Sequence, residues 1–240
     1  MFTISIAGLA IGIDNRYPYL ESFCKDYRTD APPLFTVFAT DEALDEEARV
    51  SEAEYPRGYL ESIVVYREIA KRLSAYDGFV FHGVALAVGD RAYLFTARSG
   101  VGKTTHTGLW LSAFGDCHVL NGDKPILRFI DGVCYAAGTP WQGKERLGRN
   151  EMMPVGGIAF VHRSRENRAC SVDPALAVLP LLSQIYLPED EESIGVIAAL
   201  ADRILSSVRL ANLYVNMDAE AALVARRVLI GDFDTGRMDP

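Results

Sequence analysis

The sequence predicts an α/β fold in three consecutive parts of a single domain: an N-terminal α/β region (1–77), a β-rich core (78–170) and a C-terminal helical layer (171–240). Three observations carry this. A glycine-rich stretch, "ARSGVGKTT" from Ala97 to Thr105, sits between an apolar strand-like run and an amphipathic run. Two pairs of apolar runs are joined by Gly89-Asp90 and by Asp131-Gly132, which are strong hairpin signals. Both flanks show helical spacing of apolar residues, and no Pro-, Gly- or Ser-rich linker divides the chain. At 240 residues the chain is long enough to bury a substantial core.

The elements follow in order. "MFTISIAGLAIGID" is apolar but lacks a basic leading region and a small-x-small cleavage pattern, so it reads as a strand rather than a signal peptide. Leu34 to Ala39, after a proline turn, reads as a buried strand. The acidic stretch Asp41 to Glu54 reads as a solvated loop or helix face. Tyr59, Ile63, Tyr66, Ala70 and Leu73 share one helical face, broken at Gly78. "FVFHGVALAV" and "RAYLFTA" then form a hairpin, and a helix begins near Lys103. From Cys117 to Val161 the chain is strand-like and rich in turns. Asp173-Pro174 is a helix cap followed by proline at the first helical position. Ile194, Ile197, Ala201, Ile204 and Val208 form a second helical face, "RLANLYVN" reads as a returning strand, and a last helix runs from Asp218 to a stop at Gly231, with Arg226 and Arg227 complementing its dipole.

The glycine-rich stretch fits the phosphate-cradling pattern G-x-x-x-x-G-K-[ST], except that Ala97 stands at the first glycine. Such a loop needs backbone N–H groups turned inward, which small or positive-φ residues allow. Ser99, Gly100, Val101 and Gly102 would form the cradle. Lys103 would reach the β- and γ-phosphates, the Thr104 hydroxyl would bind Mg²⁺, Thr105 would lie beside it, and the helix N-terminus would add its free N–H groups. The bland alternative, a glycine turn that merely caps a helix, does not explain the strand before it and the amphipathic helix after it.

Such a site needs a carboxylate from a neighbouring strand. "HVLNGDKPIL" offers Asp123, which otherwise reads as a turn residue. His82, beside Gly83, is either structural or part of the site. The loop Gly138 to Asn150 holds Lys144 and Arg146, suited to neutralising a transferring phosphoryl group, and Glu145 as a second carboxylate; its plainer reading is a charged surface loop.

Composition excludes other classes. With 24 Lys and Arg against 32 Asp and Glu the net charge is −8, which disfavours nucleic acid as a partner. No apolar run is long enough to span a membrane. Cys24, Cys117, Cys134 and Cys170 have no metal-ligand spacing, and scattered free thiols suit a reducing cytoplasm.

Together, His82-Gly83, Ser99-Gly100-Val101-Gly102-Lys103-Thr104, Asp123 and the Gly138–Asn150 loop resemble the HPr kinase and phosphoenolpyruvate carboxykinase superfamily, specifically its HPr-kinase-like branch, over about Phe79 to Val161. The resemblance implies a P-loop core with a mixed, largely antiparallel sheet. It implies that His82 lies beside the γ-phosphate and the acid, and that an acidic pair supplies a base for an acceptor serine hydroxyl. Gly122 occupies the first place of that pair, so Asp123 or Glu145 must serve. The expected activity is that of an ATP-dependent kinase with Mg²⁺, acting on a hydroxyl such as a serine of a small protein or peptide; a homo-oligomer is compatible with this. The alternative is a nucleotide-binding scaffold or sensor with weak catalysis, which an aspartate at position 122 would switch on. Oxaloacetate carboxykinase chemistry is not expected, because the chain is short for it and no Mn²⁺ ligand set precedes the loop.

Overall fold

The computed structural model describes residues 1–97 and 102–231. The N-terminal apolar run is two strands rather than one. β1 (Phe2–Ile6) and β2 (Leu9–Asp14) pair antiparallel around Ala7 and Gly8, both at positive φ (51° and 72°). That turn geometry matches the natural twist of paired strands. After the short helix α1 (Tyr19–Phe23), β3 (Phe35–Phe38) joins β2 in parallel. It was expected to be buried, but it is the edge of this three-stranded sheet: Val37 is buried, whereas Leu34 and Phe38 are more than half exposed.

The acidic stretch forms helix α2 (Asp41–Val50), started by Thr40, whose side-chain oxygen accepts a hydrogen bond from Ala43 N at 3.1 Å. Helix α3 (Arg57–Arg72) packs on the small sheet. Its buried face includes Leu60, Val64, Val65, Tyr66, Ile69 and Ala70; of the expected face, Tyr66, Ala70 and Leu73 are buried, whereas Tyr59 is exposed. A 3₁₀ turn and Asp77, at φ 56°, end the segment before Gly78.

The larger sheet contains β4 (Gly78–Val80), β5 (Val84–Val88), β6 (Arg91–Thr96), β7 (Cys117–Asn121), β8 (Ile126–Ile130), β9 (Val133–Ala137), β10 (Met152–Arg163), β11 (Arg168–Ser171) and β12 (Arg209–Val215). Its main order is β4-β8-β9-β10-β6-β5-β7, with β12 also on β10 and β11 on β12. Two pairs, β6/β10 and β10/β12, are parallel, and the others are antiparallel. The sheet is therefore mixed and largely antiparallel. Both predicted hairpins are present, at Gly89-Asp90 and at Asp131-Gly132. β10 is a fork: Met152 to Pro154 pair with β9 and Gly157 to Arg163 with β12.

Helices α5 (Pro174–Leu182) and α6 (Glu191–Ser207) cover one face of this sheet, and α4 (Lys103–Ala113) and α7 (Glu220–Leu229) the other. The two-residue period of the strands supplies both faces: Leu94 and Ile158 pack towards α6, Phe95 and Ala159 towards α4. Among the described residues no helix is long and apolar enough to cross a membrane.

Candidate active site

The site begins where β6 ends. Thr96 closes the strand, and α4 starts at Lys103 after Gly102, whose φ of 119° favours glycine. The first helical bond runs from His106 N to Gly102 O at 3.0 Å. Ser99, Gly100 and Val101, expected to form the cradle, lie outside the described residues. Ala97 is buried among Phe95 and Trp110 and does not have a positive φ, so the position of the first glycine is here a core position. Lys103 Nζ donates to Ala97 O at 2.8 Å, reaching back from the first turn of the helix to the end of β6. Burial lowers its pKa, against the pull of the Asp123 charge.

His82 lies between β4 and β5, held by its backbone. Its N–H donates to Gln184 O at 2.7 Å, and its carbonyl is 2.8 Å from the Thr96 hydroxyl, which is also 2.7 Å from Gln184 Oε1. Gly83 N donates to Asp123 O at 2.9 Å. His82 Nε2 and Asp123 Oδ1 stand 3.6 Å apart, an ion-pair separation rather than a hydrogen bond. Burial, followed by the charge of Lys103, lowers the pKa of His82, while Asp123 opposes this. The structure brings His82, Lys103 and Asp123 near one another from three separate segments.

Asp123 is held by residues that sequence reading missed. Asn121, fully buried at the end of β7, accepts hydrogen bonds through Oδ1 from Asp123 N (2.9 Å) and Lys124 N (2.8 Å). This side chain shapes the turn in place of backbone. Its Nδ2 donates to Thr139 Oγ1 at 3.0 Å. Lys124 Nζ pairs with the outer oxygen of Asp123. Tyr66 of α3 donates its hydroxyl to Lys124 O at 2.7 Å and stacks on Trp141, with ring centroids 4.2 Å apart. Trp141 Nε1 in turn donates to Ser62 O at 2.8 Å. The N-terminal region thereby anchors the acidic turn. A usable signal was the asparagine two residues before the acid; nothing local marks Tyr66 or Gln184.

Gly122 is required by packing. A Cβ there would lie 2.4 Å from the Gln142 carbonyl oxygen, a backbone atom. The expectation that aspartate at this position would restore an acidic pair is corrected accordingly: the side chain has no room unless the Gly138–Asn150 loop moves.

That loop is tightly seated, since a Cβ at Gly138 would lie 1.8 Å from Arg149 O. It presents its charges unequally. Lys144 is exposed, and Arg146, at φ 50°, places its guanidinium 5.6 Å from the Phe23 ring centre in the N-terminal region. Among the described contacts, neither joins the His82–Lys103–Asp123 group. Glu145 shares with Thr104 and Gly122 a cleft of about 150 Å³ beside α4. Thr104, Asp123 and Glu145 offer hard oxygen donors, the chemistry that suits Mg²⁺. Among the described residues no group of three or more His, Cys, Asp or Glu side chains is arranged to hold a metal ion by itself.

No protein-family model matches the chain, and no curated protein matches it. Among solved structures, the HPr(Ser) kinase/phosphatase from Coxiella burnetii is similar at a TM-score of 0.37 and 7% identity, over 62% of this chain and 94% of that one.

Proposed function

We propose that the protein is an ATP-dependent kinase that transfers the γ-phosphoryl group to a hydroxyl, with a serine of a small protein or peptide as the favoured acceptor. One observation carries this reading: Lys103, in the first turn of a helix that follows a strand and a glycine-rich loop, lies within electrostatic reach of the His82–Asp123 pair, and its neighbour Thr104 lines a cleft with Gly122, next to Asp123 in sequence. Phosphoryl transfer asks a protein for positioning and charge neutralisation, and this group supplies both.

In this reading Lys103 exchanges the Ala97 carbonyl for phosphate oxygens and offsets the charge that gathers between the β- and γ-phosphates. Thr104 and Asp123 would hold Mg²⁺, which would supply neutralisation of phosphate charge. The acceptor oxygen forms a bond to the γ-phosphorus as the bridging P–O bond to ADP breaks. The hydroxyl proton passes to a carboxylate, Asp123 or Glu145. His82 faces the Asp123 carboxylate across the site. Lys144 and Arg146 take part only if the acceptor draws them in from the surface. The protein acts in the cytoplasm, and a homo-oligomer remains compatible with the site.

The alternative, a nucleotide-binding scaffold or sensor with weak catalysis, draws on one observation: position 122 has no room for the second acid. Mg-ATP binding to the wild type and to Lys103→Ala, paired with transfer of labelled γ-phosphate to candidate peptides, tests both readings. The expected result is binding weakened at least about tenfold in the variant, with transfer by the wild type. Equal binding by the two proteins refutes both readings, whereas binding without transfer selects the scaffold.

A further inference from the structure

His82 also lines a cavity of about 340 Å³ that the kinase reading leaves unused. One wall is α3, which contributes Ile63, Tyr66, Arg67 and Ala70, at the three- and four-residue spacing of a single helix face. Another wall is the segment 183–186, which follows α5. Both walls lie outside Phe79 to Val161, the stretch that carries the resemblance. Val80, His82 and Lys124 complete the lining, so the cavity borders both the histidine and the turn that holds Asp123.

The walls are fixed by backbone bonds. Segment 183–186 is laced to β4 like a short added strand: His82 N donates to Gln184 O at 2.7 Å, Tyr186 N donates to Val80 O at 3.0 Å, and Phe81 lies opposite Ile185. The Tyr66 hydroxyl ties α3 to Lys124 O. Ile63 belongs to the helical face whose apolar spacing predicts burial, yet it stays partly exposed, because it borders this cavity. The lining is mainly apolar and includes no carboxylate. Its two formal cations are already paired, Arg67 with Glu47 at 2.6 Å and Lys124 with Asp123. A charged occupant would lose its hydration here without gaining a free counter-charge, so the cavity suits a neutral apolar group.

We infer that this cavity sets the acceptor's specificity: it takes a bulky apolar side chain, of leucine or phenylalanine size, on the residue next to the serine that receives the phosphoryl group. The inference rests on the kinase reading, with Asp123 as the carboxylate that takes the hydroxyl proton. Neighbouring residues of a peptide have Cα atoms only about 3.8 Å apart. A side chain seated against Ile63, Ala70 and Tyr186 therefore keeps the next residue's hydroxyl close to His82 and the Asp123 turn. The volume lies at the low end of small-molecule sites, which run from about 300 to 1,000 Å³, and so suits one large side chain with its flanking backbone. Ile63 and Ala70 are the specificity-determining residues, and neither takes part in the chemistry.

Transfer from Mg-ATP to short synthetic serine peptides, with Leu, Gly or Lys beside the serine in an otherwise glycine background, tests this. Calorimetric titration of Mg-ATP runs alongside. The wild type is expected to show kcat/KM about tenfold higher for the Leu peptides than for the Gly peptides, the worth of one buried apolar side chain, and lowest for Lys. Ile63→Glu puts a charge on the cavity wall at a partly exposed position. Ala70→Leu fills the cavity from a buried position, so its melting temperature is recorded. Each variant is expected to lose the Leu preference and to keep its Mg-ATP affinity within about twofold. A Leu preference that survives in both variants, or is absent from the wild type, overturns the inference and leaves the kinase reading standing. Mg-ATP binding without transfer to any of the peptides overturns the inference and selects the scaffold. Failure of the wild type to bind Mg-ATP overturns the kinase reading and the inference with it.

Discussion

Gly122-Asp123 and Asp131-Gly132 are the same two residues in opposite order, separated by one strand. At Asp131-Gly132 both residues have positive φ (49° and 84°), and a Cβ on Gly132 would meet nothing within 4 Å. The glycine there serves only the backbone of a hairpin turn. At Gly122-Asp123 the glycine is wedged beneath the Gln142 carbonyl, and the acid is fixed by Asn121 beside His82. The difference lies in what surrounds each pair. A turn becomes a site when distant segments close over it: Gln142 and Thr139 from one loop, Tyr66 from α3, Gln184 from beyond α5.

The strongest test of that contrast is chemical. Asp123→Asn is expected to reduce phosphoryl transfer by about 10²–10⁴-fold, the worth of a general base, while Asp131→Asn leaves the rate within about twofold because that side chain is remote from any chemistry. Labelled-phosphate assays on both variants measure this; similar losses in the two would break the comparison. Packing gives the next effect. Gly122→Ala is expected to cost about 1–3 kcal/mol through overpacking against backbone, and Gly132→Ala only about 1 kcal/mol, the strain of a positive φ. Urea unfolding of both reads the difference, and a Gly122→Asp variant with raised turnover would show that the loop yields more easily than its contacts indicate. The smallest effect concerns the anchor. Trp141→Phe keeps the stacking on Tyr66 but loses the bond to Ser62 O, for about 1 kcal/mol. The corresponding measurement is a thermal melt, and no change would mean that the N-terminal region does not brace the acidic turn.

Much of this was legible locally. The two hairpins, the start of α4 and the Asp173 cap depend on neighbours in sequence, and each lies where its turn or cap chemistry requires. The grouping of His82, Lys103 and Asp123 was legible only through the motif order and the resemblance, since no spacing rule joins them. What sequence could not convey was long-range. The exposure of Phe38 follows from β3 being an edge, which depends on which strands pair. Arg146 lies over Phe23 and Glu145 faces the cleft because Gly143, at φ 88°, turns the loop between two surfaces.

The fork in β10 has a consequence for how the molecule is made. Tyr93 of β6 is registered against Gly157, and Ile158 against Leu210 of β12, so the middle of the sheet joins strands far apart along the chain. Parallel pairings of this kind form slowly, because large loops must close before any contact repays them. On the ribosome, Lys103 and its helix emerge well before Arg209 to Val215, the stretch that completes the strip, and before α7, which packs on α4. Until then Phe95 and Trp110 lack part of their cover. Apolar surface left open in an unfinished chain favours association with other chains until the strip is complete.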